Sequence, residues 1–243
     1  MKIIGDIDII GDTHGVNSSI SRWAKLGNTT NLIHVGDYGI GFKGMHQKTI
    51  LLGDELNDND KNVYVVRGNH DDPSFFDGRR YGGEYGGITF VKDGTVAEWQ
   101  NRKILFNGGA ISIDRYDRIN EISYWEGEGF KPVECNEEID YLITHSSFSE
   151  VTSFPLLSQM IIGFSQEDQD LVSDLNEEQI LIKNWVDNLI EKQKKKIKYW
   201  YYGHFHNSYV SNYKGIECVC LNIEEIKPLS SALSSALSEL IKG

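Results

Sequence analysis

The chain is poor in proline, cysteine and positive charge, and each shortage excludes something. Its four prolines in 243 residues do not gather with serine or glycine into a linker. Hydrophobic positions, 40% of the residues, run throughout instead, so one domain over residues 1–243 is expected. The three cysteines, Cys135, Cys218 and Cys220, are an odd number. Cys218 and Cys220 alternate on a predicted strand rather than taking a CxxC spacing. That argues against a disulfide framework or thiolate zinc site, and for reduced core thiols in a cytoplasmic protein. Lysine and arginine total 24 against 36 acidic residues, a formal net charge of -12. Broad binding to long nucleic acid or an anionic membrane is therefore not expected. No apolar run approaches a membrane span. Asp6 and Asp8 interrupt Ile3–Ile10, so no secretory hydrophobic region is expected there.

What the chain does have is an ordered set of histidines. Five of the seven fall in short motifs: Gly11-Asp12-Thr13-His14-Gly15, Gly68-Asn69-His70-Asp71, Thr144-His145 and Gly203-His204-Phe205-His206. Gly36-Asp37 completes the set. Each motif follows a short run that reads as a strand: Ile7–Ile10, Asn31–Val35, Asn62–Val66, Ile139–Thr144 and Lys198–Tyr202. Val16–Leu26 and Gln47–Leu56 carry helical spacing between the first three strands. That alternation predicts βαβ units and a largely parallel core. In such sheets, sites form beyond the carboxyl ends of the strands. Ile88–Lys92, Val96–Trp99 and Lys103–Asn107 read as short strands joined by turns. Asn176–Lys195 reads as the longest helix, and Ser208–Tyr213 with Ile216–Asn222 as a hairpin. Leu229, Leu233 and Leu237 share one face of a predicted C-terminal helix at about 228–243, which could pack on the domain or meet a protein partner.

The residue types point to metal chemistry. Asp12 and His14, one residue apart at a strand end, can turn toward one ion. Asp37 can bridge two ions with its two oxygens. Asn69, His145 and His204 suit the second ion, and His206 can return to the first. Mixed imidazole and carboxylate donors suit manganese, iron, zinc or cobalt rather than calcium, and manganese is expected. Two divalent ions, two carboxylates and a bridging hydroxide leave a net positive centre, able to hold a phosphoryl group for in-line attack. His70 is free to stabilise transition-state charge or protonate the leaving oxygen. His34 and His46 lie outside the motifs and read as structural or surface residues.

This order of motifs resembles the calcineurin-like metallophosphoesterase superfamily, whose pattern is D-x-H, G-D, G-N-H-[DE], a lone H, and G-H-x-H. The likeness runs from about residue 8 to 206. It implies an α/β fold, a four-layer α/β/β/α sandwich with a dimetal site at the strand ends. It also implies Asp12, His14, Asp37 and His206 on the first metal, Asp37, Asn69, His145 and His204 on the second, and His70 as the catalytic histidine. Arg67 before Gly68 is similar to the serine/threonine phosphatases. Those enzymes carry an Asp and then an Arg three and four residues after the bridging Asp, where this chain has Ile40 and Gly41. Asp71 is a candidate to orient His70 in that Asp's place. The stretch from Gly108 to Arg115 is similar to small microbial metallophosphoesterases, and Arg115 and Arg118 join Arg67 as candidate phosphate contacts. The expected reaction is metal-dependent hydrolysis of a small phosphomonoester. The alternatives are a phosphodiesterase on cyclic or short nucleotides and, in another class, a non-catalytic scaffold like the retromer subunit of this fold.

Overall fold

The computed structural model describes residues 1–44, 46–153, 155 and 158–229, with His46 and Tyr81 described by backbone alone. Strands from the first half of the chain are β1 (Ile7–Ile10), β2 (Asn31–His34), β3 (Asn62–Val65), β4 (Glu84–Tyr85) and β5 (Ile88–Phe90). The second half supplies β6 (Val96–Trp99), β7 (Arg102–Asn107), β8 (Tyr141–Thr144), β9 (Tyr199–Tyr202), β10 (Tyr209–Tyr213) and β11 (Ile216–Cys220). A last strand, β12 (Ile226–Pro228), crosses back to pair antiparallel with β1. The sheet orders are β12-β1-β2-β3-β5-β4 and β10-β11-β9-β8-β7-β6. Both sheets are mixed. Their centres are parallel, as the βαβ reading expects, and the antiparallel pairs sit at the edges.

Alternation along the central strands builds the layers. In β2, Ile33 faces the other sheet, while Leu32 faces α1 (Ser18–Leu26) and α2 (His46–Asp58). In β8 and β9, Ile143 and Tyr201 point to the sheet interface, and Leu142, Trp200 and Tyr202 point to α4 (Leu171–Lys192). These strands are buried on both faces, so apolar and aromatic residues dominate them, and the polar Asn31, His34 and Thr144 lie at their ends. The result is the four-layer α/β/β/α sandwich. Each fully buried Leu or Ile contributes about 1.5–3 kcal/mol relative to exposure, and all three interlayer spaces are filled this way.

Three boundaries differ from the sequence reading. The long helix begins at Leu171, five residues before the expected Asn176, and ends at Lys192. A six-residue helix, α3 (Gln159–Phe164), precedes it. It is too short to show a period in sequence, and its one local signal is Ser158, whose hydroxyl accepts from the Ile161 N–H. At the other end, Ile226–Pro228 is a strand and Leu229 is buried in the core between the sheets. The rest of the helix expected at about 228–243 lies outside the described residues. Among the described residues, no helix is long and apolar enough to cross a membrane.

Candidate metal centre

The carboxyl ends of β1, β2, β3, β8 and β9 meet at one edge of the two sheets, and each delivers one motif there. One donor atom each from Asp12, His14, Asp37 and His206 lies within 4.8 Å of all the others. His14 Nε2 and His206 Nε2 are 2.9 Å apart. His206 Nε2 is 3.3 Å from Asp12 Oδ2, and His14 Nδ1 is 3.7 Å from Asp37 Oδ2. A second group adjoins through Asp37. His145 Nε2 stands 3.3 Å from Asp37 Oδ1 and 3.1 Å from Asn69 Oδ1. The His204 ring centroid is 5.0 Å from that of His145. The residues of both expected sets thus lie near one another, with Asp37 between them.

These donors fit cations on their own chemistry. Asp12 Oδ1 is buried with no hydrogen-bond donor. His145 Nδ1 lies 2.9 Å from the Val35 carbonyl and donates to it, which leaves Nε2 as the atom facing Asn69 and Asp37. The Asn69 amide donates to Ser112 Oγ at 3.1 Å, turning its carbonyl oxygen toward His145. Burial and the neighbouring His145 charge hold the His204 pKa well below its usual range, keeping the imidazole in the neutral, ligating state. For His145, burial pulls the pKa down, but Asp37 outweighs it and sets the value at about 9. A cation must therefore displace a proton from His145. Apparent cation affinity should rise by up to about tenfold per pH unit between pH 7 and 9. Titration calorimetry with manganese, in buffers of different ionisation enthalpy, should show that proton released. A flat affinity across this range would contradict the assignment of His145.

Backbone geometry carries the same signature. His14, Asp37, His204 and His206 adopt φ of 47, 58, 66 and 50°, a left-handed region that non-glycine residues avoid. Such conformations cost about 1–3 kcal/mol each and persist where surrounding structure enforces them, most often at functional sites. The motif loops also approach one another closely. A Cβ on Gly68 would stand 2.1 Å from Asp37 Oδ1, and one on Gly203 would stand 2.0 Å from Asp12 Oδ1. Gly68 and Gly203 leave the space of a missing side chain to a candidate ligand from another loop.

His70 flanks the cluster, with Nε2 at 3.9 Å from Asp37 Oδ2. Arg118 Nη2 lies 2.6 Å from that same Nε2, and the Phe42 ring stacks on His70 at 4.7 Å. Arg118 is in turn held by Asp114 at 2.7 Å and by the Asn69 carbonyl. Burial, then the Arg118 charge against the opposing pull of Asp37, lowers the His70 pKa to about 4. Because an arginine only donates, Nε2 is an acceptor here, and the ring proton sits on Nδ1.

Three sequence expectations are corrected. Arg67 is buried beneath the site, bonded to Asp93 and to the carbonyls of Glu128, Gly108 and Gly129. It braces loops and is not on the cavity wall. Arg115 is paired with Asp168 and Asp174, tying its loop to the start of α4. Asp71 does not reach His70. Its carboxylate accepts from the backbone N–H groups of Tyr38, Gly39, Ile40 and Gly68, which clamps the Asp37 loop to the Asn69 loop. His34 is buried, with Nδ1 accepting from Gly36 N and Nε2 bonded to Thr13 Oγ1, so it joins the Asp12 and Asp37 loops from below. Sequence reasoning missed Phe42, Ser112 and Asp114, whose roles depend on loops closing over the site from elsewhere in the chain.

Residues 5–208 match the calcineurin-like phosphoesterase family. No curated protein matches the sequence significantly. Among solved structures, phosphopantetheinyl hydrolase from Mycobacterium tuberculosis is similar at 13% identity and TM-score 0.43, over 92% of this chain and 96% of that one. An archaeal phosphodiesterase is similar at 12% identity and TM-score 0.38, over 92% and 98%. Zinc-complexed Vps29 from Entamoeba histolytica is similar at 11% identity and TM-score 0.33, over 89% and 73%. With the motifs assembled at one sheet edge and most of its length matched, this chain belongs to the calcineurin-like phosphoesterase family and is a metal-dependent hydrolase of phosphoric ester bonds.

Proposed function

We propose that the chain hydrolyses a small phosphomonoester at a site holding two divalent cations, manganese in the first instance. The observation that carries this reading is the Arg118–His70 pair beside the two donor sets, on the wall of one cavity. Asp12, His14, Asp37 and His206 would hold one cation, and Asp37, Asn69, His145 and His204 the other. Two such cations acidify water and offset the charge of the phosphoryl oxygens. A monoester dianion has unsubstituted oxygens left over for a guanidinium, and Arg118 is placed to supply it. When Arg118 moves its N–H from His70 Nε2 to a phosphoryl oxygen, Nε2 loses a cationic neighbour and gains an anionic one. Both changes favour its protonated form, against the pull of the cations. Nε2 can then carry a proton to the leaving oxygen.

The test uses chelator-stripped protein with manganese restored, comparing p-nitrophenyl phosphate with bis(p-nitrophenyl) phosphate. Faster monoester turnover is expected. Faster diester turnover would replace this reading with a phosphodiesterase.

A further inference from the structure

The cavity that holds His70, Asn69, His204 and His206 does not end at the donor cluster. The whole cavity, donor end included, has a volume of about 380 Å³, and it continues over Ile113, Met160, Ile161, Phe164, Leu175 and Phe205. Ile161 and Leu175 belong to a small apolar cluster with Leu171, on which Ile113 and Phe164 pack. The floor of this extension is therefore hydrocarbon supported by α3 and α4. Its two carboxylates and the Gln179 carbonyl are engaged elsewhere. Asp114 is paired with Arg118. Both Glu178 oxygens accept backbone N–H groups, from Phe130 and Ile111. Gln179 accepts from Ser149 N. Among the described lining residues Arg118 supplies the sole lysine or arginine charge, and it sits at the His70 end.

We infer that this extension receives the leaving group, and that the substrate is a phosphomonoester of an uncharged, predominantly hydrocarbon alcohol or phenol. The inference rests on the phosphomonoester reading above. A second phosphate here would meet Asp114, Glu178 and carbon, with no further cation. A sugar would lose hydration of its hydroxyls with few partners to replace it. A hydrocarbon loses nothing, and its affinity grows with the apolar surface removed from water. The volume is that of a small-ligand pocket.

A series of n-alkyl phosphates, from ethyl to hexyl, tests this with manganese-loaded protein, because chain length changes burial with little change in leaving-group chemistry. kcat/KM should rise by up to about fourfold per methylene, and at least tenfold over the series, with glycerol phosphate near the ethyl end. Met160→Glu, at a half-exposed position, should flatten the slope by placing a charge on the wall. Phe164→Ser should do so by removing wall surface. Turnover of p-nitrophenyl phosphate with a flat alkyl series would overturn the inference and leave the phosphatase reading standing. No turnover of any monoester, with cation shown bound, would overturn both.

Discussion

Asp37→Asn is expected to abolish cation binding and turnover together, whereas His70→Ala is expected to keep the cations and lose turnover alone. Asp37 is the residue common to both donor sets, with Oδ1 at 3.3 Å from His145 Nε2 and Oδ2 at 3.7 Å from His14 Nδ1. Its Oδ1 also accepts the His70 N–H at 2.8 Å, so it fixes the loop that carries Asn69. Asparagine removes the charge and puts N–H donors where a ligand oxygen is needed. A loss of more than about 100-fold in affinity follows, since even groups one bond further out cost 10–100-fold. His70 lies 3.9 Å from the Asp37 carboxylate and is occupied by Arg118 and Phe42. Its removal takes away proton transfer and transition-state stabilisation, worth about 10²–10⁴ in rate. Elemental analysis after gel filtration and steady-state kinetics on p-nitrophenyl phosphate separate the two outcomes. A fully active His70→Ala protein would sink the catalytic role given to it.

Gly203→Ala is expected to be nearly as damaging, although it changes one hydrogen to a methyl. The new Cβ would stand 2.0 Å from Asp12 Oδ1 and 2.8 Å from Val35 Cγ2. Asp12 cannot simply rotate away, because its Oδ2 accepts the His204 N–H at 2.9 Å. Gly203 does not use a left-handed φ, so alanine is allowed by the backbone and the damage comes through the contact alone. The ligand must shift, and cation affinity should fall by about 10–100-fold with turnover. Circular dichroism should remain close to native, since the added methyl presses on the core between the sheets at Val35 alone. Gly163→Ala, where the added carbon meets nothing within 4 Å, is the control and should bind cation normally. Equal cation affinity in the two variants would refute the packing account of the GH motif.

The fold was legible where a strand is buried on both faces. Ile139–Thr144 and Lys198–Tyr202 read as strands because apolar and aromatic residues dominate them ahead of a motif, and the structure forms strands at Tyr141–Thr144 and Tyr199–Tyr202, nearly all buried. The helix ahead of α4 was not legible, because six residues show no period. The donor set was legible because a ligand must be a particular residue type whatever surrounds it. Arginine carries no such restriction. Arg67, Arg115 and Arg118 look alike in sequence, and their partners sort them: backbone carbonyls and Asp93 for the first, Asp168 and Asp174 for the second, His70 for the third.

The sequence by itself determined the family, the candidate donor residues and the strand ends that present them, since those follow from local residue chemistry and the period of the chain. Only the tertiary structure decided that Gly203 makes room for Asp12, that Arg118 rather than Arg67 or Arg115 stands at His70, and that carbon lines the cavity beyond it. The first two are contacts between residues 191 and 48 positions apart along the chain. Such contacts depend on how layers and loops close on one another, and no local pattern encodes that distance.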